Sequence, residues 1–393
     1  MVATTSQHVI SDDILARCME RAPGYDRENR FFQEDFEELR DAGYLRMAVP
    51  TELGGLGLTM ADAMQEQRRL AYHAAPTALA MNMHLYWTGV AADLLRSGDT
   101  SLEWLLIEAA AGKVFAAGHS ESGNDLPVLL STTNADRVDG GYRLTGTKHF
   151  SSLTPVWDYL AVHGTDSSNP QEPKVIHGFL PRGTDGVTIR EVWDTLGMRA
   201  TASQDTVLDG AFVPDKYIPR VLAPGPAGVD LCILAIFAWG LVGFANVYYS
   251  IAQRALDLTV ESLKSRSSIT VTRTLAHHPG HQQSIAEMVM ELEAIGPHLD
   301  RVAQDWTDGV DHGGNWFVKL ISAKYRAVEG AWRVVDTAMD LSGGAGIFRQ
   351  SEIQRLWRDA RLGRVHPTNS TLSHEFVAKT VLGINPDEAP RWG

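Results

Sequence analysis

Cysteine is scarce, with only Cys18 and Cys232 in a chain of 393 residues. Two thiols so far apart exclude a disulfide framework and a cysteine-based zinc site, and they fit a reducing, cytoplasmic setting. Positive charge is also in deficit. Lys and Arg number 35 against 48 Asp and Glu, for a formal net charge of −13. With no local basic patch to offset that charge, binding to nucleic acid or to an anionic membrane surface is not expected. Internal repeats and low-complexity tracts are absent, so a repeat array, a collagen-like chain and wholesale disorder are excluded. The opening MVATTSQHVISDDILARCMERA carries acids and no unbroken apolar stretch, which does not read as a signal peptide.

What is present is an ordinary globular composition, 44% hydrophobic and 21% charged. One uncharged run stands out, LCILAIFAWGLVGFANVYYSIA at 231–252, long enough to span a bilayer as a helix. It is isolated, contains Asn246 and Ser250, and has no basic flank after it. It reads as a helix buried inside a bundle, continuing through Gln253 and Arg254 toward Lys264.

The periodicity changes twice. Up to about 112 it is helical, with a glycine-rich loop TELGGLGL at 51–58 and a helix carrying His84. From 113 to 222 short alternating runs broken by Gly, Asp and Pro read as strands, with an Asp-Gly-Gly hairpin signal in DRVDGGYRL. The loop APGPAG at 223–228 closes that part, and long helical patterns return to the end. The expected architecture is α+β in three domains: 1–112 helical, 113–222 an antiparallel β-barrel or sandwich, and 223–393 a four-helix bundle.

Four stretches, in this order and spacing, resemble the acyl-CoA dehydrogenase superfamily of flavoproteins: AVPTELGGLGLT (48–59), YRLTGTKHFSS (142–152), LGMRATASQDTVLDGAFVP (196–214) and DLSGGAGIFRQSEIQRLWRDAR (340–361). The resemblance covers nearly the whole chain. It implies a flavin, FAD or FMN, at a subunit interface of a homo-oligomer, usually a tetramer. It also places Ser120 of HSESGND and Ser152 of HFSS as hydroxyls facing the flavin, with Gly343, Gly344 and Gly346 of SGGAG as a backbone cradle. Arginine, F-G and F-Q positions that would hold an adenylate are poorly matched by RSSITVTRTLAHHPGHQQSIAEM.

The departures concern the base. A dehydrogenase needs a carboxylate over the α-carbon of a thioester, and the family's usual position is Pro367 here. An alternative position, at the start of the apolar helix, is Cys232, and Ile233 stands where an arginine would help hold CoA. Asp230 and Glu375 are the nearest carboxylates. The chain is similar to the superfamily's flavin-dependent monooxygenases, the group that includes dibenzothiophene monooxygenase, through His366, His84 and Ser152. That likeness implies a C4a-hydroperoxide chemistry on a small apolar substrate, with dioxygen and a separate flavin reductase as partners. Acyl-CoA dehydrogenation with a relocated base, or a non-catalytic flavin-binding subunit, are the other readings. Arg199 is expected to brace the β-domain, and the HHPGH cluster (277–281) is expected to be a turn without a metal.

Overall fold

The structure is a computed structural model that describes residues 8–226 and 230–388. Residues 1–7 of the opening stretch and 227–228 of the APGPAG loop lie outside the described residues.

Five helices come first: α1 (Asp12–Glu28), α2 (Gln33–Asp41), α3 (Met60–His73), α4 (Ala75–Arg96) and α5 (Glu103–Ala110). α1 starts where the Ser11 side chain accepts the Ile14 N–H, and it ends at Asn29 in the left-handed region. α3 and α4 are separate because Pro76 occupies the first turn of α4, where its missing N–H costs nothing. Every residue of α4 from Ala75 to Leu94 is buried, so this helix is the spine of the N-terminal part.

Eight strands follow: β1 (Phe115–Gly118), β2 (Asn134–Val138), β3 (Gly141–Ser151), β4 (Tyr159–Asp166), β5 (Lys174–Pro181), β6 (Val187–Arg190), β7 (Gln204–Pro214) and β8 (Arg220–Leu222). The order across the sheet is β6-β7-β3-β2-β4-β5-β8, with β1 added beside β4. The Asp139-Gly140 turn joins β2 to β3 as the hairpin signal predicts. The sheet is mixed, which corrects the wholly antiparallel expectation. β1 runs parallel to β4 from Phe115↔Tyr159 to Gly118↔Val162, and β2 meets the same edge of β4 in parallel at Asn134↔Thr165. The reason is connectivity: β1 reaches β4 only after the β2–β3 hairpin has intervened, and a long crossover permits parallel pairing.

The chain then returns to helix in α6 (Leu231–Ser265), α7 (Pro279–Thr307), α8 (Asn315–Ser342), α9 (Glu352–Leu362) and α10 (Ser370–Leu382). These are the C-terminal helices that the sequence leads one to expect, three long ones and two shorter. α6 is long and apolar enough to cross a membrane by length and composition, yet 78% of its most apolar stretch is buried inside the molecule. It packs against α3, α4, α7, α8 and α9. The HHPGH segment is a turn leading into α7: His277 ends a short 3-10 turn, His278 is the N-cap, and Pro279 opens the helix.

Candidate functional site

Ser152 follows the last residue of β3, and its backbone N–H bonds back to the Phe150 carbonyl at 2.9 Å. Phe150 has a left-handed φ of 59° and remains 54% exposed, with the Trp193 ring edge-on at 6.0 Å. The β3 end also holds the loop of Ser120, because the His149 N–H donates to the Ser120 carbonyl at 2.8 Å. Behind that loop, Glu121 and Lys148 form a fully buried pair at 2.5 Å. Burial pushes the Glu121 carboxyl up, but Lys148 and hydrogen bonds from Thr133 and Ser131 outweigh it and bring its pKa down to about 2. Ser120 and Ser152 are thus brought to one rim beside an exposed aromatic ring.

The Ser152 hydroxyl is not alone. It lies 2.7 Å from the Ser203 hydroxyl, which lies 2.7 Å from that of Thr201, which in turn donates to the Met198 carbonyl at 2.9 Å. Met198 is fixed from below, since its N–H donates to Asp359 of α9 at 2.5 Å. Gly197 permits this approach, because a Cβ there would stand 2.5 Å from the Arg358 carbonyl. Burial pushes the Asp359 carboxyl up to about 6, and its second oxygen is buried without a partner.

α9 leads directly into the turn that carries His366. The imidazole stacks on Phe244 of α6 with 4.6 Å between ring centroids. Its Nε2 is 2.8 Å from the Tyr248 hydroxyl, and its Nδ1 makes no hydrogen bond among the described residues. Phe244 and Tyr248 are four residues apart and so share one face of α6. The turn is held by Lys324 of α8, whose buried Nζ donates to the carbonyls of His366 at 2.8 Å, Thr368 at 2.9 Å and Gly363 at 3.4 Å. Burial, and then the neighbouring Lys324, push the His366 pKa down to about 3, so the ring is neutral at pH 7.

His84 is placed differently from the expectation. It is completely buried in α4. Its Nε2 lies 2.7 Å from the Leu45 carbonyl, and its Nδ1 accepts the Phe115 N–H at 3.1 Å. Both ring nitrogens are therefore committed to backbone, and burial lowers its pKa to about 4. The residue ties α4 to the 44–46 turn and to β1, and it has no nitrogen left for a ligand. The glycine segment stands apart from the two serines, at the end of α8. Gly343 has a φ of 60°, and a Cβ on Gly344 would meet nothing within 4 Å. Arg266 donates to the Leu341 and Ser342 carbonyls just before it.

The alternative base positions are otherwise engaged. Burial raises the Cys232 thiol to about 12. Asp230 caps α6 through the Ile233 N–H at 3.0 Å and pairs with Arg220. Glu375 pairs with Lys379 at 2.9 Å. Arg199 bonds the Asp26 carbonyl at 2.8 Å and Asp194 at 2.6 Å, bracing α1 against the β-domain. No group of three His, Cys, Asp or Glu among the described residues is placed to hold a metal ion. Sequence reasoning missed Tyr248, Phe244, Lys324, Thr201 and Ser203. The first two were available as an aromatic i,i+4 pair, whereas Lys324 and Ser203 carry no local signal.

The donor set fits a flavin. The loops of Ser120 and Ser152 meet at the end of β3 beside an exposed aromatic ring, and the glycine turn is open at Gly344, although the Gly343 and Gly346 N–H groups already donate to the Asp340 and Gly343 carbonyls. Comparison with known proteins agrees. Models of the acyl-CoA dehydrogenase N-terminal, middle and C-terminal domains match residues 10–101, 115–211 and 242–371 in that order. The chain is 29% identical to putative acyl-CoA dehydrogenase YdbM of Bacillus subtilis, covering 90% of this chain and 91% of that one. It is 29% identical to amino sugar nitrososynthase DnmZ of Streptomyces peucetius (91% and 88% covered) and 26% identical to dibenzothiophene monooxygenase of Rhodococcus qingshengii (89% and 87%). Among solved structures it resembles KijD3 in complex with FMN and a dTDP-linked amino sugar, with TM-score 0.84 and 25% identity over 96% of this chain and 93% of that one. This chain belongs to the acyl-CoA dehydrogenase superfamily, whose members include monooxygenases and nitrososynthases, and it is a flavin-dependent oxidoreductase.

Proposed function

We propose that the protein is a monooxygenase that uses reduced flavin and dioxygen on a small, mostly apolar substrate. The observation that carries this reading is the neutral His366, stacked on Phe244 and bonded to Tyr248, followed by Pro367 where a dehydrogenase would carry its carboxylate. When bound and reduced, a flavin supplies the electron pair that activates dioxygen. Ser120 and Ser152 hold the flavin edge. His366 offers Nδ1 to substrate or oxygen-derived groups, and Tyr248 sets the protonation of the opposite nitrogen. Gly343, Gly344 and Gly346 serve the cofactor's phosphate end. His84, which the resemblance places in the mechanism, serves in this proposal as a packing residue. The proposal includes a separate flavin reductase, a cytoplasmic setting and a homotetramer.

A second reading, acyl-CoA dehydrogenation, is favoured by the similarity to YdbM. A single preparation tests both. The protein is loaded with FAD or FMN and mixed anaerobically, in the oxidised form, with a panel of acyl-CoAs. The reduced form is then mixed with labelled dioxygen and candidate substrates, including an amino sugar nucleotide because of the nitrososynthase relatives. Label in the product, lost in His366→Ala, is the expected result. Anaerobic bleaching by a thioester would overturn the proposal in favour of the dehydrogenase.

A further inference from the structure

The chain from Ser152 to Met198 contains three hydroxyls and therefore three hydrogens to assign. Thr201 donates its own to the Met198 carbonyl at 2.9 Å. Thr201 then has none left for Ser203, so across the 2.7 Å contact Ser203 must be the donor. Ser203 is spent in turn, so across the next 2.7 Å contact Ser152 is the donor. Thr201, Ser203 and Ser152 are buried, at 1%, 4% and 8% exposure, so water does not supply a substitute hydrogen along the chain. The Ser152 hydrogen points inward, and only its lone pairs are presented outward.

We propose that Ser203 and Thr201 are positioning residues that make Ser152 an acceptor and so bias the site toward the reduced form of its flavin. This rests on the reading of Ser152 as a flavin-facing hydroxyl. The relevant flavin edge is a bare nitrogen acceptor when oxidised and an N–H donor when reduced. An acceptor hydroxyl pairs with the reduced edge at once. To serve the oxidised edge, the three hydroxyls must all reverse, and Thr201 must give up the Met198 carbonyl. That carbonyl keeps the Thr201 N–H at 3.2 Å and the Trp193 Nε1 at 3.4 Å, so reversal loses one bond and leaves no orphan. The bias is therefore about fivefold, the size of one net buried hydrogen bond.

The test is equilibrium binding of FMN and FAD to the full chain, oxidised in air and reduced under anaerobic conditions. The wild-type protein is expected to bind the reduced form more tightly. Ser203→Ala releases the Ser152 hydrogen, and the ratio of oxidised to reduced Kd should fall by about fivefold. Ser203→Thr should retain the wild-type ratio. Thr201→Val removes the sink at the far end and should act like Ser203→Ala, so it carries the test if that variant fails to fold. The bound flavin's two-electron potential should move negative in the same variants by about 20 mV, at 29.6 mV per tenfold. Tight flavin binding with an unchanged ratio in Ser203→Ala or Thr201→Val overturns this inference and leaves the flavin site standing. Failure of the wild-type chain to bind either form of either flavin overturns both.

Discussion

His84 and His366 are both histidines with depressed pKa values, yet their bonding differs. His84 has backbone at both nitrogens, so replacing it removes a donor and an acceptor from the interior at once. His84→Leu should cost about 2–4 kcal/mol in urea unfolding, because the Leu45 carbonyl and Phe115 N–H lose their partner. His84→Gln can restore one of the two bonds and should cost less. A larger loss in Gln than in Leu would argue against this account. Proton uptake follows the same logic. Burial lowers His84 and His177 to about 4 and His119 and His366 to about 3, and it drives His163 well below the ordinary value of 6.5. Between pH 6.5 and 4 the unfolded chain binds protons at these five sites that the native state does not, so stability falls as pH falls. Asp35 and Asp359, which burial raises to about 6, act in the opposite direction over the same window. Five groups against two leave the histidines in control. Urea midpoints should therefore drop from pH 7.5 to pH 5, and His84→Gln should shrink the difference by on the order of 2 kcal/mol.

At the scale of elements, α8 and α9 decide where the His366 turn sits. A lysine in a helix interior ordinarily reaches water, but Lys324 is only 2% exposed and has three backbone carbonyls as partners. Burial lowers its pKa to about 7. Lys324→Met removes the donor these carbonyls share, although Thr368 keeps the Ser373 hydroxyl at 3.3 Å, and should destabilise the protein by about 1–3 kcal/mol. It should also free the turn locally. Trypsin cleavage after the exposed Arg364 should be faster in this variant under native conditions, and an unchanged cleavage rate would remove Lys324 as the clamp. The helices and most strands could be read from periodicity, since α4, α6 and α8 alternate apolar and polar residues or stay apolar throughout. β8 could not, because three residues with exposed and half-buried positions give no period. The parallel β1–β4 ladder was equally unreadable, since pairing direction depends on connections and not on the strand's own residues.

For the whole molecule, the three parts meet at Asp26. Its carboxylate receives Arg358 of α9 at 2.9 and 2.5 Å, and its carbonyl receives Arg199 of the β-domain at 2.8 Å. Arg358 also donates to the Leu196 carbonyl at 2.7 Å. One guanidinium thus ties α1, the segment that holds Met198 and the helix that precedes His366. Arg358→Met leaves a mostly buried carboxylate unpaired and should cost about 3 kcal/mol. Unfolding followed by tryptophan fluorescence and by circular dichroism should then no longer coincide, as the parts separate. Coincident transitions with a loss under 0.5 kcal/mol would refute the junction's role.

The three-part α+β order, the buried character of α6 and the flavin family could all be read from residue order, because hydrophobic period and motif spacing are local properties of a chain. Ser120 and Ser152 came from the same source. The partners that give those residues their chemistry did not. Ser203 lies 51 residues from Ser152, Tyr248 lies 118 from His366, and Lys324 lies 42 from the carbonyl it holds. Only packing brings such pairs to hydrogen-bonding distance. The tertiary structure therefore decided that His84 has both ring nitrogens on backbone while His366 meets Tyr248, which hydroxyls are linked to Ser152, and which carboxylates are already engaged. The physical reason is that protonation and hydrogen-bond direction are set by neighbours in space, and no short stretch of sequence records them.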